Sequence, residues 1–298
     1  MEFISAAVVM IGISIILASS FNLILGFSGL LSIAHPAFFA LGAYCSAMLS
    51  MRLGLPIPLA MVCGVLFASL SSLILAIPSL RVSGDYLVIA SIGFQLGLLQ
   101  VIKNLEWTGG AGGLTGIPSL LPNYGWSNLV LYWALIGVIA LIVVLVIRRM
   151  TSGSYGRAIA AMRDDEEAFV ALGRNARRMK ITIFAIASGM SGLAGVLYAH
   201  YFVYLVPEQF DITMSAAILT MVIVGGVRTV LGPIVGAVLL ETAPRAINIL
   251  DLPNTMIGPL QGMIFTGLVI VFLFTRPEGI VAAKKARDFS MRTQRAGR

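Results

Sequence analysis

Long apolar runs broken by short polar stretches set the pattern of the 298-residue chain. The first run covers about Phe3 to Leu25 and ends at Gly26-Phe27-Ser28-Gly29, followed by Ser32-Ile33-Ala34-His35-Pro36. Glycine, serine and proline this dense in a membrane segment predict a broken helix, tolerated where the backbone is buried in protein or lines a cavity. Further runs cover about Ala37 to Met51, Leu59 to Ile77 and Tyr86 to Lys103, with turns at Arg52 to Pro58 and Arg81 to Asp85. A loop over 104–127, rich in glycine, precedes a run from Leu129 to Ile147. After a polar stretch, runs continue at about Ile181 to Val206, Ile212 to Val224, Ile234 to Ile249 with a kink at Pro244, and Pro259 to Phe274. Each long run approaches the roughly 20 residues that a spanning helix needs. Unbroken runs exclude a transmembrane barrel, whose strands alternate apolar and polar residues.

Composition agrees with a bilayer as solvent. Only 11% of the residues are charged, against about 25% in soluble domains. The net charge of +7 is concentrated in two stretches, 148–180 and 276–298. The positive-inside rule puts both in the cytoplasm, so the basicity reports topology and not nucleic acid. A weak attraction of the tail to anionic membrane lipid fits the same charge. Counting from these anchors gives about nine spans with the N-terminus outside, or eight to ten if the first run is split or one run is re-entrant. The fold expected is therefore an all-α, polytopic membrane helix bundle of about 8–10 spans with broken or re-entrant helices. The membrane domain covers 1–279, with a cytoplasmic loop at 148–180, and a basic cytoplasmic tail covers 280–298.

The candidate chemistry is sparse. Cys45 and Cys63 lie inside apolar runs without metal-ligand spacing,. No GxxxxGK[ST] phosphate-binding loop occurs,. Ionisable groups within the runs are nearly absent, except Glu241 and Arg245, which can pair at i, i+4,. Ion-coupled carriers usually keep such groups inside the bundle, so an external energy source is expected. The polar stretch from Ser154 to Lys180 carries four consecutive acids, Asp164 to Glu167, then Gly173 and a cluster of Arg and Lys. Asp164 with Glu167 fits a capping box, and Gly173 fits a helix stop. A short surface helix over about Asp164 to Leu172 follows, with Ala168, Phe169 and Leu172 at helical spacing. It packs on the membrane domain, on a partner, or on both.

The run Glu167 to Gly173 resembles the E-A-A-x-x-x-G loop of ABC-importer permeases, with Phe169 where the pattern has Ala. Four other stretches narrow the likeness to the branched-chain amino-acid permeases of LivM type. They are Gly29 to Tyr44, Arg81 to Tyr86, Thr108 to Pro118 and Gly156 to Gly173. Gly225 to Pro233 resembles that family's GGxGTxxGP, with Arg228 in place of a glycine. The resemblance spans about residues 20 to 280. It implies a bacterial inner-membrane, multi-pass permease subunit that is not itself an enzyme and carries no cofactor. ATP and Mg would sit on two cytoplasmic ATPase subunits. Other partners would be a LivH-type permease and a periplasmic or lipid-anchored binding protein. Relatives carry other amino acids, amides, urea or small carboxylic acids. A secondary carrier or channel acting alone is the reading from a different class.

The resemblance makes Arg157, Arg163, Asp164, Glu167, Ala168 and Gly173 the candidates for contact with an ATPase. Simple anchoring at the cytoplasmic surface is the alternative for the two arginines. Ser32, His35, Gln95, Thr108, Gly109, Gly110, Gly225 and Gly226 are candidates for a substrate path or gate. For His35 a hydrogen-bonded structural role is the alternative, and for Gln95 a helix–helix hydrogen bond. The breaks at Gly26–Pro36 and Gly225–Pro233 could mark two halves of an internal duplication meeting at a site. His200, near a helix end, is expected at the interface.

Overall fold

A computed structural model describes residues 2–77, 84–121, 126–245 and 279–281, with isolated positions between 260 and 275. Arg81, the end of the glycine-rich loop, the turn at 250–258, most of the last apolar run and the tail from 282 lie outside the described residues. The helices are α1 (Glu2–Asn22), α2 (His35–Arg52), α3 (Ile57–Ser71), α4 (Leu73–Ala76), α5 (Asp85–Asn104) and α6 (Trp126–Thr151). They continue with α7 (Gly153–Asp164), α8 (Glu166–Ala171), α9 (Ala176–Phe202), α10 (Ile212–Gly225) and α11 (Gly232–Arg245). Among the described residues six helical stretches are long and apolar enough to cross a membrane. The bundle is all-α and polytopic.

Two spans form its axis. In the most apolar 18 residues of Ser5–Phe27 and of Ala176–Phe202 72% are buried, against 28% in those of Asp85–Asn104 and Leu129–Thr151. The outer helices therefore turn large aliphatic residues such as Leu66, Ile89, Leu141 and Leu145 outward, as a lipid-facing or partner-facing surface requires. The helix α2 is enclosed by protein, with most of its residues buried. It packs against both α9 and α3, which also pack on each other. A side chain at Gly42 would collide with the backbone of Gly192, and one at Gly195 with the backbone of Phe39. Small residues are what let these backbones approach so closely.

Contacts define the two ends of the bundle. At one end Arg52 Nη2 donates to the Trp107 carbonyl at 3.0 Å, its guanidinium lies 5.7 Å from the Trp107 ring centroid, and Lys103 pairs with Glu208 at 2.8 Å. The glycine-rich loop is folded here. It makes two 3-10 turns and a short strand β1 (Leu114–Thr115) that pairs antiparallel with β2 (Tyr204–Leu205). At the other end α7 packs on the C-terminal end of the first span, and α8 packs on α7 and α9.

The first break is visible at this second end. The last turn of α1 widens into a π-helical turn, Leu23–Phe27, and residues 29–34 are non-helical before α2 begins. His35 and Pro36 then open α2, where proline's missing N–H costs nothing,.

Candidate coupling and substrate-path sites

The acids at 164–167 end one helix and begin the next. Asp164 closes α7, and its Oδ1 accepts from Arg163 Nη2 at 2.5 Å. The cap of α8 is Asp165, one residue later than the capping box predicted. Asp165 is extended (φ −154°), and its Oδ1 accepts the Ala168 N–H at 2.9 Å. With Asp164 held by Arg163, the next carboxylate satisfies the orphan donor. The stop is as expected: Gly173 has φ +76°, and its N–H and that of Arg174 reach back to the carbonyls of Val170 and Phe169,.

Two attachments fix α8 to the bundle. Phe169 is buried in a cluster with Ile159, Met162 and Phe184. Lys180, buried on α9, holds Glu166 at 2.7 Å. Ala168 and Leu172, which share Phe169's helical spacing, are not buried with it. Ala168, Val170 and Leu172 are exposed, Leu172 to 80%, together with Glu167 and Gly173. Arg157 is exposed on α7.

Arg163 does more than anchor. Its Nη1 donates to the Gly26 carbonyl at 3.3 Å, inside the first break. Its aliphatic stem lies so close over Gly29, at φ +72°, that a Cβ there would overlap it. The first break in turn touches the second. Asn22 Nδ2 donates to the Thr229 carbonyl at 2.8 Å, and Asn22 Oδ1 accepts the Arg228 N–H at 3.2 Å. The second break is closed from behind by the chain's own later segment: Ile280 N–H donates to Val224 O and Val281 N–H to Gly225 O, both at 2.9 Å. Gly226 and Gly279 pack backbone to backbone. A chain of direct contacts thus runs from α7 through both breaks. Asn22 is the hub of these contacts.

The path candidates fall into three places. Ser32 and His35 are buried at the first break, where His35 Nε2 shares a 2.8 Å hydrogen bond with Ser20 and its ring meets Phe21 edge-on. Gly225 and Gly226 form the second break. Gln95 lies on α5, where its side-chain amide ties α5 to the start of α10: Nε2 donates to the carbonyls of Phe210 and Asp211, and Oε1 accepts from Ser215. Thr108, Gly109 and Gly110 lie at the opposite end. The Thr108 hydroxyl is held by the carbonyls of Ile102 and Leu105, and Gly109 and Gly110 take φ +79° and +61° in the 3-10 turns. His200 is not interfacial. It is fully buried between Ser46 (2.8 Å) and the Pro118 carbonyl (2.7 Å), because the β1–β2 pairing brings Pro118 over the end of α9. Glu241 and Arg245 do pair, at 2.6 Å, and Ser14 donates to Glu241 at the same distance.

A polytopic helical bundle with two broken segments, contacted from one end by a short capped helix, has the architecture of a membrane permease subunit. The chain matches the family described as branched-chain amino acid transport system, permease component, over residues 3–274, and it belongs to that family. It is 30% identical over 295 residues to the high-affinity branched-chain amino acid transport system permease protein LivM of Escherichia coli, covering 90% of this chain and 68% of that protein. A probable LivM of Methanocaldococcus jannaschii is 29% identical over 71% of this chain and 64% of its own. The autoinducer 2 import system permease protein LsrC of Salmonella typhi is 25% identical over 61% of this chain and 53% of its own. No solved structure matches.

Proposed function

We propose that this chain forms one half of the membrane path of an ATP-driven importer for branched-chain amino acids. In this reading it pairs with a LivH-type permease. Two cytoplasmic ATPase subunits hold the ATP and Mg, and a periplasmic or lipid-anchored protein delivers the substrate. In this reading α7, α8 and the C-terminus face the cytoplasm, which the basic stretches at 148–180 and 276–298 support,.

The observation that carries the reading is the divided surface of α8. Phe169 and the Glu166–Lys180 pair hold the helix to the bundle, while Val170 and Leu172 remain exposed beside Glu167. Apolar side chains projecting from a charged surface suit a groove on a partner. Movement of that helix reaches both breaks through Arg163 and Asn22.

Glu167→Lys and Gly173→Asp are expected to uncouple the importer. ATP-dependent leucine uptake into proteoliposomes should fall by roughly tenfold or more, the size expected when an interface charge is reversed or a turn is strained. The amount of membrane-inserted chain should not change. Normal uptake in both variants would sink the coupling role. A chain that never co-purifies with ATPase subunits and transports without ATP would be a carrier.

A further inference from the structure

Where the two breaks meet, one buried hydroxyl has no partner. Ser19 is 3% exposed, and its Oγ meets no donor or acceptor among the described residues. A serine within a helix can satisfy its hydroxyl on a carbonyl three or four residues back. Ser20 does so on Leu17 and Ser28 on Ile24. Ser19 instead lines a void that it shares with Asn22 and with Thr229 and Val230 of the second break, closed by Val144 and Ile147 of α6. The void is too narrow for a water molecule,. A buried donor left in this way is destabilising.

The second break carries a penalty of its own. Residues 226–231 are non-helical, and Arg228 is held at φ +67°, a conformation that is costly for an L side chain and that concentrates at functional and moving parts. Asn22 holds it there: its Oδ1 accepts the Arg228 N–H while its Nδ2 donates to the Thr229 carbonyl. Gly26 makes this grip possible, since a Cβ there would overlap Asn22 Oδ1 and crowd the Arg228 nitrogen. The carbonyl of the same Gly26 is held from α7 by Arg163. Thr229 is braced within the break, where its Oγ1 donates to the Gly226 carbonyl at 2.8 Å and accepts the Gly232 N–H at 2.9 Å. Ser19 and Asn22 are three residues apart and so stack on one face of α1, about 4.5 Å apart along its axis. The π-helical turn that follows Asn22 is an irregularity of the kind found at functional sites,.

We propose that Ser19 is a positioning residue, the second seat of the Thr229 carbonyl, which deepens the importer reading and rests on it. In the arrangement seen here Asn22 holds that carbonyl. In the other arrangement of the transport cycle the second break shifts by up to one turn along α1, and the Ser19 hydroxyl donates to the same oxygen. The move gives the buried hydroxyl its acceptor and frees Arg228 to leave the left-handed region. It costs the two Asn22 contacts. Gains and losses are of one kind and similar size, so a pull by Arg163 on Gly26 chooses between the two seats. The shift is local to the break, because Ser14 donates to Glu241 at 2.6 Å and keeps α11 tied to α1 about two turns away from Asn22,.

The test uses the whole reconstituted importer at equal amounts of assembled complex. ATP hydrolysis is measured without the binding protein, and leucine uptake with it. Ser19→Ala removes the second seat and Asn22→Ala the first. They are expected to shift ATP hydrolysis in opposite directions, each by about three- to tenfold, the effect of one net hydrogen bond. Ser19→Ala is expected to slow maximal uptake by a similar factor and to leave the half-saturating concentration of binding protein unchanged. It should not lower the unfolding temperature, since the hydroxyl stabilises nothing in the arrangement seen here. A purely structural Ser19 would leave turnover at the wild-type value. Should Asn22→Ala fail to assemble, Ser19→Ala decides alone. Wild-type turnover in Ser19→Ala, or shifts of the same sign in both variants, would overturn the second seat. A wild-type complex that does not transport leucine with ATP would instead overturn the importer reading.

Discussion

Arg228 shows what a single residue can disclose. The family pattern has glycine at this position, and here the arginine sits at φ +67° with an exposed side chain. A side chain in the left-handed region costs about 1–2 kcal/mol. Arg228→Gly is therefore expected to raise stability by about 1 kcal/mol in a thermal-unfolding measurement, since the N–H that donates to Asn22 is kept. The departure from the pattern was readable in the sequence; the strain was not. His200 illustrates the opposite case. Its place near a helix end suggested an interfacial residue, and only the pairing of two distant segments, 114–115 and 204–205, buries it. Four consecutive acids offer no local means of ranking Asp164 against Asp165, because the choice depends on where Arg163 points.

Among the elements, α8 carries the sharpest expectation. It has only six residues, too few to be stable alone, so its cap and its anchor decide whether it exists. Asp165→Ala should cost about 1 kcal/mol, read as faster proteolysis of the α7–α8 segment, whereas Asp164→Ala should leave that rate unchanged. Phe169→Ala should detach the helix, removing a core contact of about 3–5 kcal/mol, and uncouple transport without preventing insertion. Six spans were legible as long apolar runs, whereas α2 and α11, also expected to cross, are not among the described stretches long and apolar enough to do so. The division of α8 into one buried and several exposed apolar residues was not legible, because helical spacing alone assigns Ala168, Phe169 and Leu172 to the same face.

For the molecule as a whole, sidedness is the property most open to test. Ser154→Cys and Gly110→Cys, each in a chain lacking Cys45 and Cys63, should label in opposite fashion. An impermeant thiol reagent added to intact cells should reach position 110, and position 154 only after permeabilisation; labelling of both from outside would invert the topology. The two broken segments, one in each half of the chain, were recognisable from their glycines and prolines. That they touch through Asn22 could not be read from a sequence in which they lie about 200 residues apart.

The backbone pairing of Ile280 and Val281 with Val224 and Gly225 also bears on the order of events during synthesis. The second break remains half-built until the ribosome has delivered residue 281. Every helix that it joins is by then already made. A nascent chain that stalls before that point holds its membrane helices yet leaves the carbonyls of Val224 and Gly225 unpaired. The backbone of the second break is therefore completed late in synthesis, once the chain has already entered its final basic stretch.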